Sequence, residues 1–240
     1  MSSTIKVKNI SLKRPVRNYF TYFENIINFV SKKTTYKSIL SDINFEFSTG
    51  DKVAIIGDNG SGKTSLLRIL SNIYIPNTGS VINNANTLPI LDLGSLFFYE
   101  LTAHENILFI CSLYKRSKSQ SLKILDDVKQ FSGLSESFYQ QLNSFSMGMV
   151  QRLSYSLGLF LHSEILIIDE LLIGGDASFQ KKFTKALHSK LMESSIVILT
   201  SHDQNLIMQI CNKGIVLDRG RIIFNGDISK AIEIYNKKNT

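Results

Sequence analysis

Apolar and polar residues alternate over residues 5–12 and again over 40–47, the period-two pattern of strands with one face buried. Between them Tyr19, Phe20, Phe23, Ile26, Ile27 and Val30 recur at helical spacing, flanked by Arg14, Arg17, Lys32 and Lys33. This stretch reads as an amphipathic helix, laid either on a membrane or partner surface or over the protein's own sheet. From Asp51 the order is strand (53–56), glycine loop (57–62) and helix (63 to about 72). Helical patterns dominate from about 102 to 162. Short, wholly apolar strands return at 165–168 and 196–199, and 215–217 with 221–224 reads as a hairpin turning at Asp218, Arg219 and Gly220. A short helix over about 228–235 follows. Strands joined by helical crossovers make this an α/β chain with a mainly parallel sheet. Neither internal repeats nor long linkers interrupt it.

Composition narrows the picture. Of the 240 residues, 43% are hydrophobic, enough for a sizeable core in one domain. Lys and Arg number 27 against 20 Asp and Glu, a net charge of +7 that suits anionic partners or is simply a basic surface. The two cysteines, Cys111 and Cys211, lie far apart without metal-ligand spacing, so neither a disulfide framework nor a zinc site is indicated and a reducing compartment is expected. The amino terminus alternates like a strand and lacks the pattern of a signal peptide. No apolar run approaches the about 18 residues that cross a bilayer.

Gly57-Asp58-Asn59-Gly60-Ser61-Gly62-Lys63-Thr64 fits Gly-x4-Gly-Lys-[Ser/Thr] between a strand and a helix. Glycines let successive N–H groups curl around phosphate oxygens, and the helix N-terminus, with Ser65 in its first turn, adds a favourable field. Lys63 reaches the outer phosphates, and the Thr64 hydroxyl can ligate magnesium. Nucleotide binding is therefore expected. The strand at 165–168 ends on Asp169 and Glu170, placed for a metal-holding carboxylate and a water-polarising base, although such a pair also serves as an ordinary helix start. The strand at 196–199 leads to His202, either a structural histidine or a ligand at the carboxyl end of the sheet. Ser146 and Gly148 stand where a helix begins, followed by the apolar face of Met149, Val150, Leu153 and Leu157.

With these elements in this order, the whole chain resembles the nucleotide-binding subunits of ATP-binding cassette (ABC) transporters. Phe145-Ser-Met-Gly-Met149, followed by Gln151 and Arg152, occupies the place of that family's Leu-Ser-Gly-Gly-Gln signature. Residues 169–181, Asp-Glu-Leu-Leu-Ile-Gly-Gly-Asp-Ala-Ser-Phe-Gln-Lys, and residues 93–107, from Leu-Gly-Ser to Glu-Asn-Ile, are similar to stretches in the subunits that drive capsule, O-antigen and teichoic acid export. So is the long segment ahead of residue 40.

The resemblance implies a P-loop NTPase of ABC ATPase type: a mainly parallel sheet core, an antiparallel β subdomain and a helical signature subdomain at about 95–162, within one domain spanning 1–240 and without a C-terminal carbohydrate-binding domain. It implies ATP and Mg2+ as ligands and a head-to-tail homodimer in which Ser146 and Gly148 face the other copy's γ-phosphate. Lys63, Glu170 and His202 would carry catalysis, and Thr64 and Asp169 would hold the metal. It also implies integral membrane permease subunits in a 2+2 complex at the cytoplasmic face of the bacterial inner membrane, with a lipid-linked polysaccharide as indirect cargo.

The departures from that family are specific. The usual glutamine between the lobes is missing from Leu91-Asp-Leu-Gly94, where Asp92 either supplies a metal-directed oxygen or is simply solvated. The adenine-stacking aromatic is Tyr36 or Tyr19. Met147 stands where the family has glycine. A cassette ATPase working as a switch on nucleic acid or ribosomes is the rival reading, favoured by the basic charge. Against it, only 81 residues lie between Thr64 and Ser146, too few for a coiled-coil insertion, and the chain holds one cassette. No nucleic-acid partner is therefore expected.

Overall fold

The computed structural model describes residues 2–15, 35–90, 93–169, 176–201 and 203–238. The aromatic–basic stretch at 16–34, together with Tyr19, Asp92, Glu170 and His202, lies outside them.

Strands β1 (Thr4–Pro15), β2 (Tyr36–Ser48) and β4 (Thr78–Asn83) form an antiparallel sheet in the order β2-β1-β4. The larger sheet is built from β3 (Lys52–Ile56), β5 (Thr87–Ile90), β6 (Ile165–Ile168), β7 (Ile196–Leu199), β8 (Lys213–Asp218) and β9 (Arg221–Asp227). Its order is β5-β6-β7-β3-β8-β9, parallel except for β9, which returns antiparallel on β8. The helices are α1 (Lys63–Leu70), α2 (Ala103–Leu113), α3 (Lys118–Ser132), α4 (Met147–Phe160), α5 (Ala177–Glu193), α6 (Gln204–Ile210) and α7 (Ile228–Lys238).

The continuous apolar runs of the central strands are explained by burial on both faces. Alternate residues of each strand go to opposite cores: Leu166, Ile168, Val197, Leu199, Ala54 and Val216 pack with α2 to α7, while Ile165, Ile167, Ile196, Ile198, Val53, Ile55, Ile215 and Leu217 pack with α1 and the antiparallel sheet. The second core is why β1 and β2 alternate so cleanly: they have only one face to bury.

Two strands are faint in the sequence for physical reasons. β4 (Thr-Gly-Ser-Val-Ile-Asn) is mostly exposed, and β5 carries Pro89 at the edge of its sheet, where a missing N–H is tolerated. Helix α1 ends at Leu70, two residues before the expected end, and Asn72 then takes a left-handed conformation (φ 57°). In the other direction α7 runs three residues past the expected Tyr235, to Lys238.

The helical region starts from two capping boxes, Thr102 with Glu105 and Ser117 with Gln120. Asn106 is fully buried, bonding the N–H and carbonyl of Phe98 and the carbonyls of Leu101 and Thr102. Glu105 and Asn106 thus fix the turn that leads into α2, a structural reason for that part of the 93–107 motif. Both cysteines are free and buried, and burial pushes the Cys211 thiol up to about 12. Among the described residues no helix is long and apolar enough to cross a membrane.

Candidate functional site

The parallel order β6-β7-β3 brings three strand ends side by side, with Ile168 opposite Leu199 and Leu199 opposite Ala54. Open α/β sheets form their crevice beyond such carboxyl ends. The glycine loop leaves β3, Asp169 leaves β6, and Thr200 leaves β7.

The loop is tightly folded. A Cβ on Gly57 would lie 2.3 Å from the Leu217 carbonyl oxygen and 2.7 Å from Ser61 Oγ, so only glycine fits against β8 there. Gly62, in a left-handed conformation (φ 109°), is the N-cap of α1, and its carbonyl accepts the Leu66 N–H. The Ser61 N–H bonds the Asp58 carbonyl at 3.1 Å, and Gly220 N–H bonds the Ser61 carbonyl at 2.9 Å. Lys63 is buried and curls back, donating to the carbonyls of Gly57 (2.8 Å) and Asp58 (3.2 Å). Ser61 Oγ is buried without a hydrogen-bond partner. An orphaned hydroxyl beside a buried ammonium at a helix N-terminus suits a polyphosphate, which would satisfy both. Asn59, Gly60 and Thr64 are exposed and Ser65 is half-buried at the mouth.

Asp169 is half-buried and accepts a 2.7 Å hydrogen bond from the Thr200 hydroxyl, itself 2% exposed. The Thr200 N–H in turn bonds the Ile168 carbonyl, so the two strand ends are laced together. A carboxylate with one fixed oxygen, combined with hydroxyl and phosphate oxygens, is the kind of donor set Mg2+ takes in phosphate sites. Among the described residues no cluster of three or more His, Cys, Asp or Glu forms a closed metal cage, and that donor set does not need one.

Tyr36 is 59% exposed at the start of β2. Farther along the same strand, the Ile39 carbonyl would be 3.1 Å from a Cβ on Gly62, so β2 runs beside the phosphate loop. Tyr36 stands three residues before Ile39 on that strand.

Ser146 is the N-cap of α4, accepting the Met149 N–H at 3.3 Å. A Cβ on Gly148 would have only Ser146 Oγ at 4.0 Å, and Met147 is 75% exposed. This helix end faces open space. Among the described residues no hydrogen bond joins Ser146 or Gly148 to the phosphate loop.

Three contacts near the site were not read from the sequence. Thr200 orients Asp169, as described. Arg152 bonds the Ser132 carbonyl (2.9 Å), lies 3.6 Å from the Asp176 carboxylate and stacks over Phe179 (5.4 Å). It thereby ties α4 to the C-terminus of α3 and to the start of α5. Asp176 itself caps α5, and the Phe179 N–H it accepts, helped by Arg152, holds its carboxyl below the ordinary range. The third contact is that of α7 with Asp58. A threonine closing an apolar strand run was visible in the sequence, but long-range partners such as these have no local signature.

A family model described as ABC transporter matches residues 40–172, more than half of the chain. The chain belongs to the ABC transporter family. As an ABC transporter ATPase it binds and hydrolyses ATP. Among its relatives are the ATP-binding protein BexA of Haemophilus influenzae, 32% identical over 88% of this chain and 97% of that one, and the capsule polysaccharide export ATP-binding protein CtrD of Neisseria meningitidis, 33% identical over 84% and 91%. The O-antigen export system ATP-binding protein RfbE of Yersinia enterocolitica is 33% identical over 76% and 77%. In fold, this ABC protein matches a dimeric ATP-binding cassette in a post-hydrolysis state with ADP and Pi (TM-score 0.70, 20% identity, 93% of this chain and 98% of that one). It also matches the ATP-binding subunit of an ABC transporter (TM-score 0.74, 19% identity, 98% and 95%).

Proposed function

We propose that this ATPase powers export of a lipid-linked cell-surface polysaccharide through a separate membrane permease. The observation that carries the proposal is the similarity, over 84% and 76% of this chain, to CtrD and RfbE, ATP-binding proteins named for capsule polysaccharide and O-antigen export. The chain's own 93–107 and 169–181 motifs point the same way.

In this reading the loop N–H groups of Gly57, Asp58, Asn59, Gly60, Ser61 and Gly62, with Lys63, Thr64 and Ser65, hold the ATP phosphates, and Tyr36 stacks on the adenine. Mg2+, when bound, neutralises charge on the outer phosphates, and Thr64 and Asp169 are the residues that would hold it, with Asp92 as a further candidate. Thr200 keeps Asp169 aimed. Glu170 orients the attacking water, Lys63 stabilises the transferred charge and His202 contacts the γ-phosphate. The outward-facing Ser146 and Gly148 serve the site of a second copy, and this arrangement favours a head-to-tail homodimer.

One domain spans 1–240, with the helical signature subdomain at about 95–162. Exposed Phe98, Tyr99 and Tyr139 at its edge suit contact with two permease subunits, in a 2+2 complex at the cytoplasmic face of the bacterial inner membrane. Purification of the tagged full chain from its native membranes should recover an integral membrane protein with it. Recovery as a companion-free monomer in the soluble fraction would overturn the export assignment, and a tight, salt-sensitive nucleic-acid complex would move the function to the switch class.

A further inference from the structure

Asp58 puts a negative charge inside the phosphate-binding loop. Its backbone carbonyl accepts both the Ser61 N–H and the Lys63 ammonium, so the residue is part of the cradle itself. Its carboxylate lies in the same short loop that receives a polyanion and would repel it. Helix α7 answers this charge. Tyr235 donates its hydroxyl to Asp58 Oδ1 at 3.1 Å, and Lys238 donates to Asp58 Oδ2 at 3.1 Å and to Asp218 Oδ1 at 2.6 Å.

The placement follows from how α7 docks. Ile228, Ala231, Tyr235 and Lys238 recur at spacings of three, four and three, which puts them on one face of the helix. The apolar end of that face is buried on β8 at Gly214, where a Cβ would come within 2.5 Å of the Ala231 Cβ and 3.1 Å of Ile228 Cδ1. The polar end of the face therefore arrives at Asp58. Hydrogen bonds between Asn236 and Gln204 hold the helix against α6, whose N-cap Asp203 directly follows His202 in the chain. The two carboxylates, Asp218 first, hold the Lys238 ammonium above the ordinary lysine range.

We infer that Tyr235 and Lys238 of the last helix are positioning residues for the phosphate loop, neutralising and fixing the Asp58 carboxylate so that the loop accepts a nucleoside triphosphate. Lys238 acts through Asp58 and does not replace Lys63 on the phosphates. Its two carboxylate partners sit on different elements, the loop and the end of β8, so the same ammonium also locks α7 to the turn before β9. The prediction is a pairwise one. For triphosphate affinity, removing Lys238 matters only while residue 58 carries a charge.

The test is a double-variant cycle on the full chain, with equilibrium binding of a non-hydrolysable ATP analogue and of ADP measured for wild type, Lys238→Met, Asp58→Asn and the combination. Lys238→Met should weaken binding of the triphosphate about three- to tenfold at low salt, and less at high salt, as expected for an exposed charge. ADP, which carries less charge, should be affected less. In the Asp58→Asn background the same lysine substitution should change triphosphate affinity by less than about twofold, because the charge it compensates is gone. Tyr235→Phe should give a smaller loss in the same direction, also dependent on Asp58. Equal effects of Lys238→Met in both backgrounds, or no effect in either, would overturn the inference. Thermal denaturation of each variant separates a misfolded chain from a weakened loop. Absence of nucleotide binding by the wild-type chain would instead count against the phosphate site itself.

Discussion

Asp169 and Thr200 show how one hydrogen bond can connect packing to chemistry. The hydroxyl that donates to Asp169 is almost wholly buried, so its loss cannot be made good by water. Thr200→Val keeps the shape and removes the donor. It should cost about 1–2 kcal/mol of stability, read from chemical denaturation. On the proposed metal role of Asp169 it should also raise the Mg2+ concentration needed for half-maximal ATP hydrolysis while leaving metal-free nucleotide binding close to wild type. An unchanged Mg2+ dependence would separate Thr200 from the reaction. The phosphate loop itself was legible residue by residue, because glycine and lysine at fixed intervals have a local geometric reason. The partner of Asp169 was not, since the two residues are far apart in the chain and meet only because β6 and β7 are neighbours.

At the scale of elements, two contacts join helices to the rest of the molecule in ways that can be measured. Lys190 on α5 donates to the carbonyls of Leu159 and Leu161, both at 2.7 Å, satisfying groups at the end of α4 that the helix leaves unpaired. Burial there lowers its pKa from 10.5 to about 8. The unfolded chain keeps this proton up to about its ordinary value, whereas the folded chain releases it near 8, so between those values the unfolded state binds more protons and stability rises with pH. Relative to Lys190→Met, the wild-type protein should gain stability across pH 8 to 10.5, by up to about 3 kcal/mol. Parallel denaturation curves for the two proteins over that window would count against it.

The second contact is α7 on Gly214. Gly214→Ala forces the helix off β8, with an overpacking cost of about 1–3 kcal/mol. Because α7 carries Tyr235 and Lys238, it should also weaken triphosphate binding, whereas a loss of thermal stability with unchanged affinity would mean that the helix does not reach the loop in solution. The elements themselves were mostly readable: the strands at 165–168 and 196–199 stand as their apolar runs mark them. β4 and β5 were not, because an exposed strand and an edge strand with a proline bury too little to leave a hydrophobic pattern.

For the whole molecule, the decisive feature is the open helix end at Ser146, with no hydrogen bond to the phosphate loop among the described residues. A helix N-terminus capped by a small hydroxyl residue, open at Gly148 and turned toward solvent, has a purpose if the phosphate it meets is bound by another copy. Glu170→Gln should therefore trap an ATP-dependent dimer, seen as a doubling of mass in size-exclusion chromatography with light scattering. Adding Ser146→Arg should abolish that dimer by setting a bulky charge against its surface. A double variant that dimerises unchanged would remove Ser146 from the interface.

The sequence alone determined the class of chemistry and the layering of the fold, because both rest on short-range rules. A glycine–lysine loop between strand and helix can be read in eight residues, and a strand buried on both faces in four. Only the tertiary structure decided which residues support that chemistry. Thr200 under Asp169, Arg152 between α3, α4 and α5, and the Asp58 carboxylate held by α7 are contacts between elements whose adjacency is set by strand order and helix docking. Local sequence holds each partner of such a pair, and the sheet brings the two together.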